Sequence, residues 1–342
     1  MKYRLLGPSG LRVSELCLGT MTFGEELGWG SSKEESRKVF ETFVEAGGNF
    51  LDTADLYTYG TSEKMVGEFA GPERDRFVIA TKYTLSRREG DPNGGGNHRK
   101  SFFQALHASL KRLNTDYIDL YWLHAWDHLT PVEEVMRAFD DAVRAGKILY
   151  AGISNAPAWI VAQANTLATL RGWTPFVGLQ IEYSLIERTV ERDLVPMARA
   201  LGLGVTAWSP LAGGLLTGKY AQISVSDEPR RLEKVPYNRL TERNLAVAQA
   251  VTEVAKILGK SPAQVALAWL RQQGKVIPIV GARKAEQLRN NLEYLSLTIP
   301  PEWIEKLDVA SKIELGFPHE FLTRPYMQDL VFSKVQDQIE CG

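Results

Sequence analysis

Cysteine is close to absent. Cys17 and Cys341 are the only two in 342 residues, one inside an apolar run and the other next to last. That argues against a disulfide framework and fits a reducing, cytoplasmic setting. Long apolar runs are missing too: nothing approaches the roughly 18 residues that a membrane-spanning helix needs. The opening Met-Lys-Tyr-Arg-Leu-Leu-Gly lacks the apolar core of a secretory leader. Neither charge is in surplus, with 40 Lys and Arg against 41 Asp and Glu and a net charge of −1. That balance points neither to nucleic acid nor to an anionic membrane surface. The dinucleotide string Gly-x-Gly-x-x-Gly does not occur. Gly28-x-Gly30 runs on to Lys33, and Gly213-Gly214 has the wrong spacing. Gly259-Lys260-Ser261 ends like a phosphate loop, but Val254 stands where its first glycine is required.

What is present is a regular alternation. Short apolar runs begin at Leu16, Phe50, Phe77, Ile118, Ile148, Phe176, Val205 and Val276, and amphipathic stretches separate them. Ser32 and Glu35 form a Ser-x-x-Glu capping box before the Val39, Phe40, Phe43, Val44 stripe, and Gly47-Gly48 stops that helix. Thr130-Pro-Val-Glu and Ser261-Pro-Ala-Gln mark two more helix starts. Val190–Leu201 and Glu286–Leu295 read as helices. Eight strand–helix units at roughly 30 residues each predict an α/β fold, a (β/α)8 TIM barrel, in one domain over residues 1–342. A hairpin over Tyr3–Val13 precedes it. Two extra helices are expected over Thr241–Leu258 and Pro301–Ser311. The tail from Gly316 has aromatic residues but no clear period.

In such a barrel the chemistry sits at the carboxyl ends of the strands. Read in order, those ends carry Gly19, Thr20 and Met21; Asp52, with Tyr57 on its loop; Lys82; His124; Ser154 and Asn155; Gln180 and Tyr183; Trp208 and Ser209; Gly281 and Arg283. Asp, Tyr, Lys and His on three successive units make a set that handles protons. A phenol ordinarily loses its proton near pH ~10. A nearby ammonium favours the phenolate and makes the hydroxyl a better acid. Lys82 supplies the charge in this reading, Asp52 holds it, and His124 orients a substrate oxygen. Proton donation to a carbonyl oxygen needs a hydride from elsewhere. No side chain supplies one, which implies nicotinamide.

The chain resembles an aldo-keto reductase of the bacterial type, related to the branch that holds potassium-channel β subunits. The resemblance rests on Gly19-Thr-Met, Leu51-Asp-Thr-Ala-Asp-Leu-Tyr57, Thr81-Lys82, Leu123-His124, Gly152-Ile-Ser-Asn155, Trp208-Ser-Pro-Leu-Ala-Gly-Gly-Leu-Leu-Thr-Gly-Lys219 and Ile277-Pro-Ile-Val-Gly-Ala-Arg-Lys-Ala-Glu-Gln-Leu-Arg-Asn-Asn291. These pieces follow family order over nearly the whole chain. The resemblance implies reduction of an aldehyde or ketone by NADPH, with Tyr57 as general acid and Asp52, Lys82 and His124 completing a tetrad. It implies that Ser154, Asn155 and Gln180 hold the nicotinamide carboxamide and that Trp208 stacks on the ring. Ser209, Leu211, Gly213 and Lys219 would line the pyrophosphate, and Gly281, Arg283, Gln287 and Asn291 the adenosine end. Gly19, Thr20, Met21, Asp52, Pro210, Ala212 and Asn290 complete the implied cofactor set. Arg283 favours NADPH over NADH, since a guanidinium suits a phosphate, or else it is an exposed arginine stacking on adenine. Arg230 and Arg231 are placed over the pyrophosphate or read as a solvated basic pair.

Other readings weigh against these. The resemblance also admits a nucleotide-binding interaction protein of the channel-subunit kind, with weak catalysis. Schiff-base chemistry at Lys82 is opposed by Asp52, which favours the ammonium over the amine. His124, Asp127 and His128 lie on a strand end and its loop rather than on one helix face, and no metal is expected. His98 falls in a Gly-rich loop read as mobile, or as one that folds over the substrate mouth. Trp126, Tyr59, Phe317 and Phe321 line an apolar substrate pocket or pack the rim, and Trp29 is placed in neither. The expected partner is a small carbonyl compound. Neither nucleic acid nor a membrane is expected, and the oligomeric state is left open.

Overall fold

The structure, a computed structural model, describes residues 1–86, 88–220 and 239–340. Strands β1 (Tyr3–Leu5) and β2 (Arg12–Ser14) pair antiparallel as a hairpin. Eight parallel strands then close a barrel: β3 (Cys17–Gly19), β4 (Phe50–Asp52), β5 (Val78–Tyr83), β6 (Ile118–Leu123), β7 (Ile148–Ser154), β8 (Phe176–Glu182), β9 (Gly204–Trp208) and β10 (Val276–Val280), with β10 hydrogen-bonded back to β3. The helices between them are α1 (Lys33–Glu45), α2 (Thr61–Ala70), α3 (Arg99–Leu113), α4 (Val132–Arg144), α5 (Ala158–Arg171), α6 (Leu194–Ala200), α7 (Glu242–Leu258), α8 (Pro262–Gln272) and α9 (Ala285–Leu292). Helix α10 (Pro301–Ala310) follows. Both extra helices thus stand where the periodicity predicts them, as α7 and α10.

Two packed layers result. Strand residues facing outward meet the helices in one large apolar core. The residues facing inward form a smaller one, built on Phe50, Val78, Ala80, Leu120, Trp122 and Ile277. Leu6 and Val13 of the hairpin pack into this inner core, so the hairpin closes one end of the barrel. Trp122 fills the interior. A methyl group added at Gly152 would lie 2.3 Å from its ring, so the sequence leaves the room there. Cys17 is buried in the same interior with a free thiol, whose pKa burial pushes well above the ordinary value.

Several local expectations need correction. Ser32 does cap α1, accepting from the Glu35 N–H, but Glu35 does not reach back. Its carboxylate accepts from the Ala285 N–H at the start of α9, 2.9 Å away. Ser261 forms the full box with Gln264. Thr130 is not a cap: Pro131 holds the N-cap position of α4, and the Thr130 hydroxyl donates instead to Asp127 (2.7 Å). Helix α6 starts four residues after Val190, because Thr189–Glu191 forms a separate turn. Helix α9 ends at Leu292 and a tight turn, Glu293–Ser296, completes the predicted span. The tail contains two short helices that no periodicity announced, α11 (His319–Leu322) and α12 (Pro325–Phe332), neither with a buried residue.

Candidate active site

Strand geometry builds the site. Side chains alternate across a strand, so every second residue of the inner face rises in one column. Phe50 leads to Asp52, Ala80 to Lys82, and Leu120 and Trp122 to His124. Three apolar columns therefore end in polar groups at the carboxyl mouth, with Tyr57 on the turn after β4.

Lys82 is the centre of the cluster. Its side chain is fully buried. The ammonium donates to the Asp52 carboxylate, to the Thr53 carbonyl (2.7 Å) and to the Tyr57 hydroxyl (3.1 Å). An ammonium has three protons, and all three are used. Burial alone would lower the Lys82 pKa; Asp52 and then Tyr57 outweigh it, and the net shift is upward. Asp52 is as fully engaged, since its other oxygen accepts from Gln180 Nε2 at 2.9 Å. The pair is thus buried and hydrogen-bonded, the condition under which buried charge persists. That upward shift favours the ammonium over the free amine that Schiff-base chemistry needs.

The turn that carries Tyr57 is held in an unusual backbone. Thr58, Tyr59 and Gly60 have φ of 46°, 52° and 93° in succession. Buried hydroxyls pin it. Thr58 Oγ1 donates to the Phe23 carbonyl (2.7 Å) and accepts from the Ser62 N–H (3.0 Å). Ser62 Oγ lies 2.8 Å from Thr20 Oγ1 and 2.9 Å from Thr53 Oγ1. Sequence reasoning missed Thr53, Thr58 and Ser62. Their only signal was three small hydroxyls close together beside a buried strand.

His124 sets its ring edge-on to Tyr57, with 6.0 Å between centroids. Burial first, then the Lys82 charge, lowers its pKa from 6.5 to about 3, so the imidazole is neutral at physiological pH. Its Nδ1 is buried and has no hydrogen-bond partner among the described residues. The loop containing His98 is fastened rather than loose. Asn97 and Asp127 exchange two hydrogen bonds (2.7 and 2.8 Å), and His98 caps α3 through Nδ1.

Across the mouth the remaining expected residues divide. Ser154 is wholly buried and its Oγ makes no hydrogen bond among the described residues. Trp208 is half-buried at the end of β9, next to Ser209 (φ 55°), buried Pro210, Leu211, Ala212 (φ 50°) and Gly213 (φ 67°). Lys219 is exposed beyond them. Gly281 and Arg283 follow β10; the Arg283 N–H donates to Gln287 Oε1 (3.0 Å), and its carbonyl accepts from Ser31 Oγ (2.8 Å). The Asn290 carbonyl accepts from Gln264 (2.8 Å), with Asn291 half-buried beside it. Gly19 and Met21 flank Thr20 at the end of β3, where the Thr20 hydroxyl points into the buried hydroxyl cluster. Tyr183 is not part of the mouth: its hydroxyl donates to Glu191 (2.7 Å) and its ring packs on Trp269. Tyr59 and Phe317 stand out in solvent, 75% and 84% exposed, whereas Trp126 packs against the outer core. Arg230 and Arg231 lie outside the described residues. Among those described, no group of three or more His, Cys, Asp or Glu is arranged to hold a metal ion, and no helix is long and apolar enough to cross a membrane.

The fold and the mouth define a (β/α)8 barrel with its polar residues gathered where the strands end. The chain belongs to the aldo/keto reductase family, whose profile matches residues 15–312. It is thereby placed among oxidoreductases that use nicotinamide cofactors. It is 38% identical over 333 residues to an aryl-alcohol dehydrogenase of Pestalotiopsis microspora, covering 94% of this chain and 85% of the relative. It is 37% identical over 358 residues to norsolorinic acid reductase A of Aspergillus parasiticus, covering 99% and 89%. An aryl-alcohol dehydrogenase [NADP(+)] of Phanerodontia chrysosporium is 37% identical over 344 residues, with 93% and 88% covered.

Proposed function

We propose that this protein reduces an aromatic aldehyde or ketone to its alcohol with NADPH, and that Tyr57 gives the proton. The observation that carries this reading is the Lys82 ammonium, 3.1 Å from the Tyr57 hydroxyl and locked by Asp52 and Thr53. A fixed positive charge there favours the phenolate that proton donation leaves behind. Asp52 keeps that charge in place in a buried site. The neutral His124 imidazole orients the carbonyl oxygen beside Tyr57 without competing for its proton.

The residues across the mouth suit a nicotinamide dinucleotide. The unpaired Ser154 Oγ, buried where a carboxamide would need a partner, supports that fit. In this reading Ser154, Asn155 and Gln180 hold the carboxamide and Trp208 faces the ring. The segment from Ser209 to Gly213, with Lys219, lines the phosphates, and Arg283, Gln287, Asn290 and Asn291 hold the adenosine end. When bound, the cofactor supplies the hydride that no side chain can. Arg283 supports NADPH over NADH, as does the relative named for NADP(+). The aryl substrate class rests on the names of the relatives.

The test is a panel of aromatic and aliphatic aldehydes and ketones, run with each nicotinamide cofactor and followed by loss of cofactor absorbance. Turnover is expected with aromatic carbonyls and NADPH. No turnover on any of them, with both cofactors bound, would overturn the reading.

A further inference from the structure

Glu63 carries a carboxylate that the proposed reaction does not use, and it is wholly buried in the first turn of α2. One of its oxygens accepts from the Thr81 hydroxyl (2.6 Å) and the other from Arg112 Nε (2.5 Å). Arg112 stands half-buried in the last turn of α3. Burying such a pair gains little over apolar residues of the same volume, because desolvation offsets the attraction. Stability alone therefore gives no account of it. What the pair has and an apolar contact lacks is direction.

The neighbours set that direction. Thr81 immediately precedes Lys82 on β5, and side chains alternate across a strand. Lys82 points into the barrel towards Asp52 and Tyr57, so Thr81 faces outward, against α2. Arg112 meets the turn that carries Tyr57: a methyl group added at Gly60 would lie 2.7 Å from the Arg112 Cδ. Gly60 has φ 93°, so glycine serves there both the backbone and the arginine stem packed on it. Helix α2 approaches the end of α3 at another glycine, Gly67, where an added methyl group would lie 2.3 Å from the Leu113 carbonyl oxygen. Glu63 thus joins three pieces. They are the helix that begins directly after the Tyr57 turn, the strand that holds Lys82, and the arginine packed on the turn. Ser62 holds the other side of the same helical turn, through Thr20 and Thr53.

We infer that Glu63 is a positioning residue for the proton donor, fixing the Tyr57 turn against the Lys82 strand through Arg112 and Thr81. The inference rests on the proposed role of Tyr57. In it the buried carboxylate touches neither substrate nor cofactor. It acts by keeping the Tyr57 hydroxyl at its 3.1 Å from the Lys82 ammonium.

The test uses two variants. The triple variant Glu63→Leu, Thr81→Val, Arg112→Met replaces the whole network by apolar groups of similar size, so it should unfold in urea at close to the wild-type midpoint. Thr81→Val alone deletes one hydroxyl. Two further properties are measured: the ζ-carbon resonance of Tyr57, assigned by its loss in Tyr57→Phe, and kcat and KM for an aromatic aldehyde at saturating NADPH. In the triple variant the Tyr57 resonance should be displaced and kcat should fall about tenfold with KM within about twofold, the signature of a loosened reacting geometry in a stable protein. Thr81→Val should act in the same direction by about threefold, since one hydrogen bond is lost. An unmoved Tyr57 resonance in both variants would overturn the inference, and so would wild-type kcat in a stably folded triple variant, which would make the network a packing device alone. If the triple variant does not fold, the resonance in Thr81→Val decides: displaced supports the inference, unmoved overturns it. The resonance needs no turnover, so it separates failure of this inference from failure of the proposed reaction.

Discussion

The two ends of the barrel solve the same turning problem with different residues. At the base, where the chain enters the strands, left-handed backbone is given to glycine. Gly47 precedes β4, Gly146 β7, Gly172 β8, Gly202 β9 and Gly274 β10, with φ from 64° to 110°, and Asn114 before β6 is the exception. At the mouth, where the chain leaves the strands, glycines such as Gly24, Gly60 and Gly213 share positive φ with residues that carry side chains: Thr58 and Tyr59 after β4, Thr84 after β5, His128 after β6, Asn155 after β7, Ser209 and Ala212 after β9. A non-glycine residue held there costs on the order of 1–3 kcal/mol. The base minimises strain. The mouth accepts it where a side chain is required at that point, and surrounding hydrogen bonds hold the strained residue in place.

That contrast can be broken in graded steps. Lys82→Met should do the most damage, because it removes the charge beside Tyr57 and strands buried Asp52. We expect reductase activity to fall at least about a hundredfold and stability by about 3–5 kcal/mol, read from kcat and a urea titration. Thr58→Val comes next. It keeps the shape and the left-handed backbone but takes the hydroxyl from the Phe23 carbonyl and the Ser62 N–H. A loss of about 2 kcal/mol is expected, with kcat down about tenfold and Thr58→Ser restoring both.

His124 gives a pH signature. Its folded pKa of about 3 lies below the ordinary 6.5, so below 6.5 the unfolded chain binds a proton that the folded chain refuses. The stability this provides is complete above pH 6.5 and drains away as the pH falls towards 3. Between those limits His124→Gln should flatten the fall by about 1.4 kcal/mol per pH unit, measured by unfolding at several pH values. The smallest effect is expected at the base. Gly146 has φ 67° and open space around its α-carbon. Gly146→Ala should cost about 1 kcal/mol in stability and leave kcat alone.

The same contrast explains what was legible from sequence. The base was readable because glycine stops act locally, as at Gly47-Gly48. Asp52, Lys82 and His124 were readable because a strand's two-residue period lifts them from apolar columns. What failed to show were partners far along the chain. Glu35 looked like half of a local box, but its carboxylate meets Ala285, 250 residues away. Thr58 and Ser62 find Phe23 and Thr20 across the β3–α1–β4 crossover, and no spacing rule links them. Asn155 was placed at the mouth from its strand end, but its bonds to His124 and Trp208 exist only once the barrel closes. The tail helices escaped because a helix that buries nothing needs no apolar stripe.

The most direct measurement is a stopped-flow single turnover of NADPH-loaded protein with an aromatic aldehyde, comparing the wild type with Tyr57→Phe and Tyr59→Phe. The two tyrosines are two residues apart, but only the hydroxyl of Tyr57 accepts from Lys82. Tyr57→Phe should bind NADPH as before and slow its oxidation at least about a hundredfold, while Tyr59→Phe stays within about threefold of the wild type. Oxidation in Tyr57→Phe within about tenfold of the wild type would contradict Tyr57 as the proton donor.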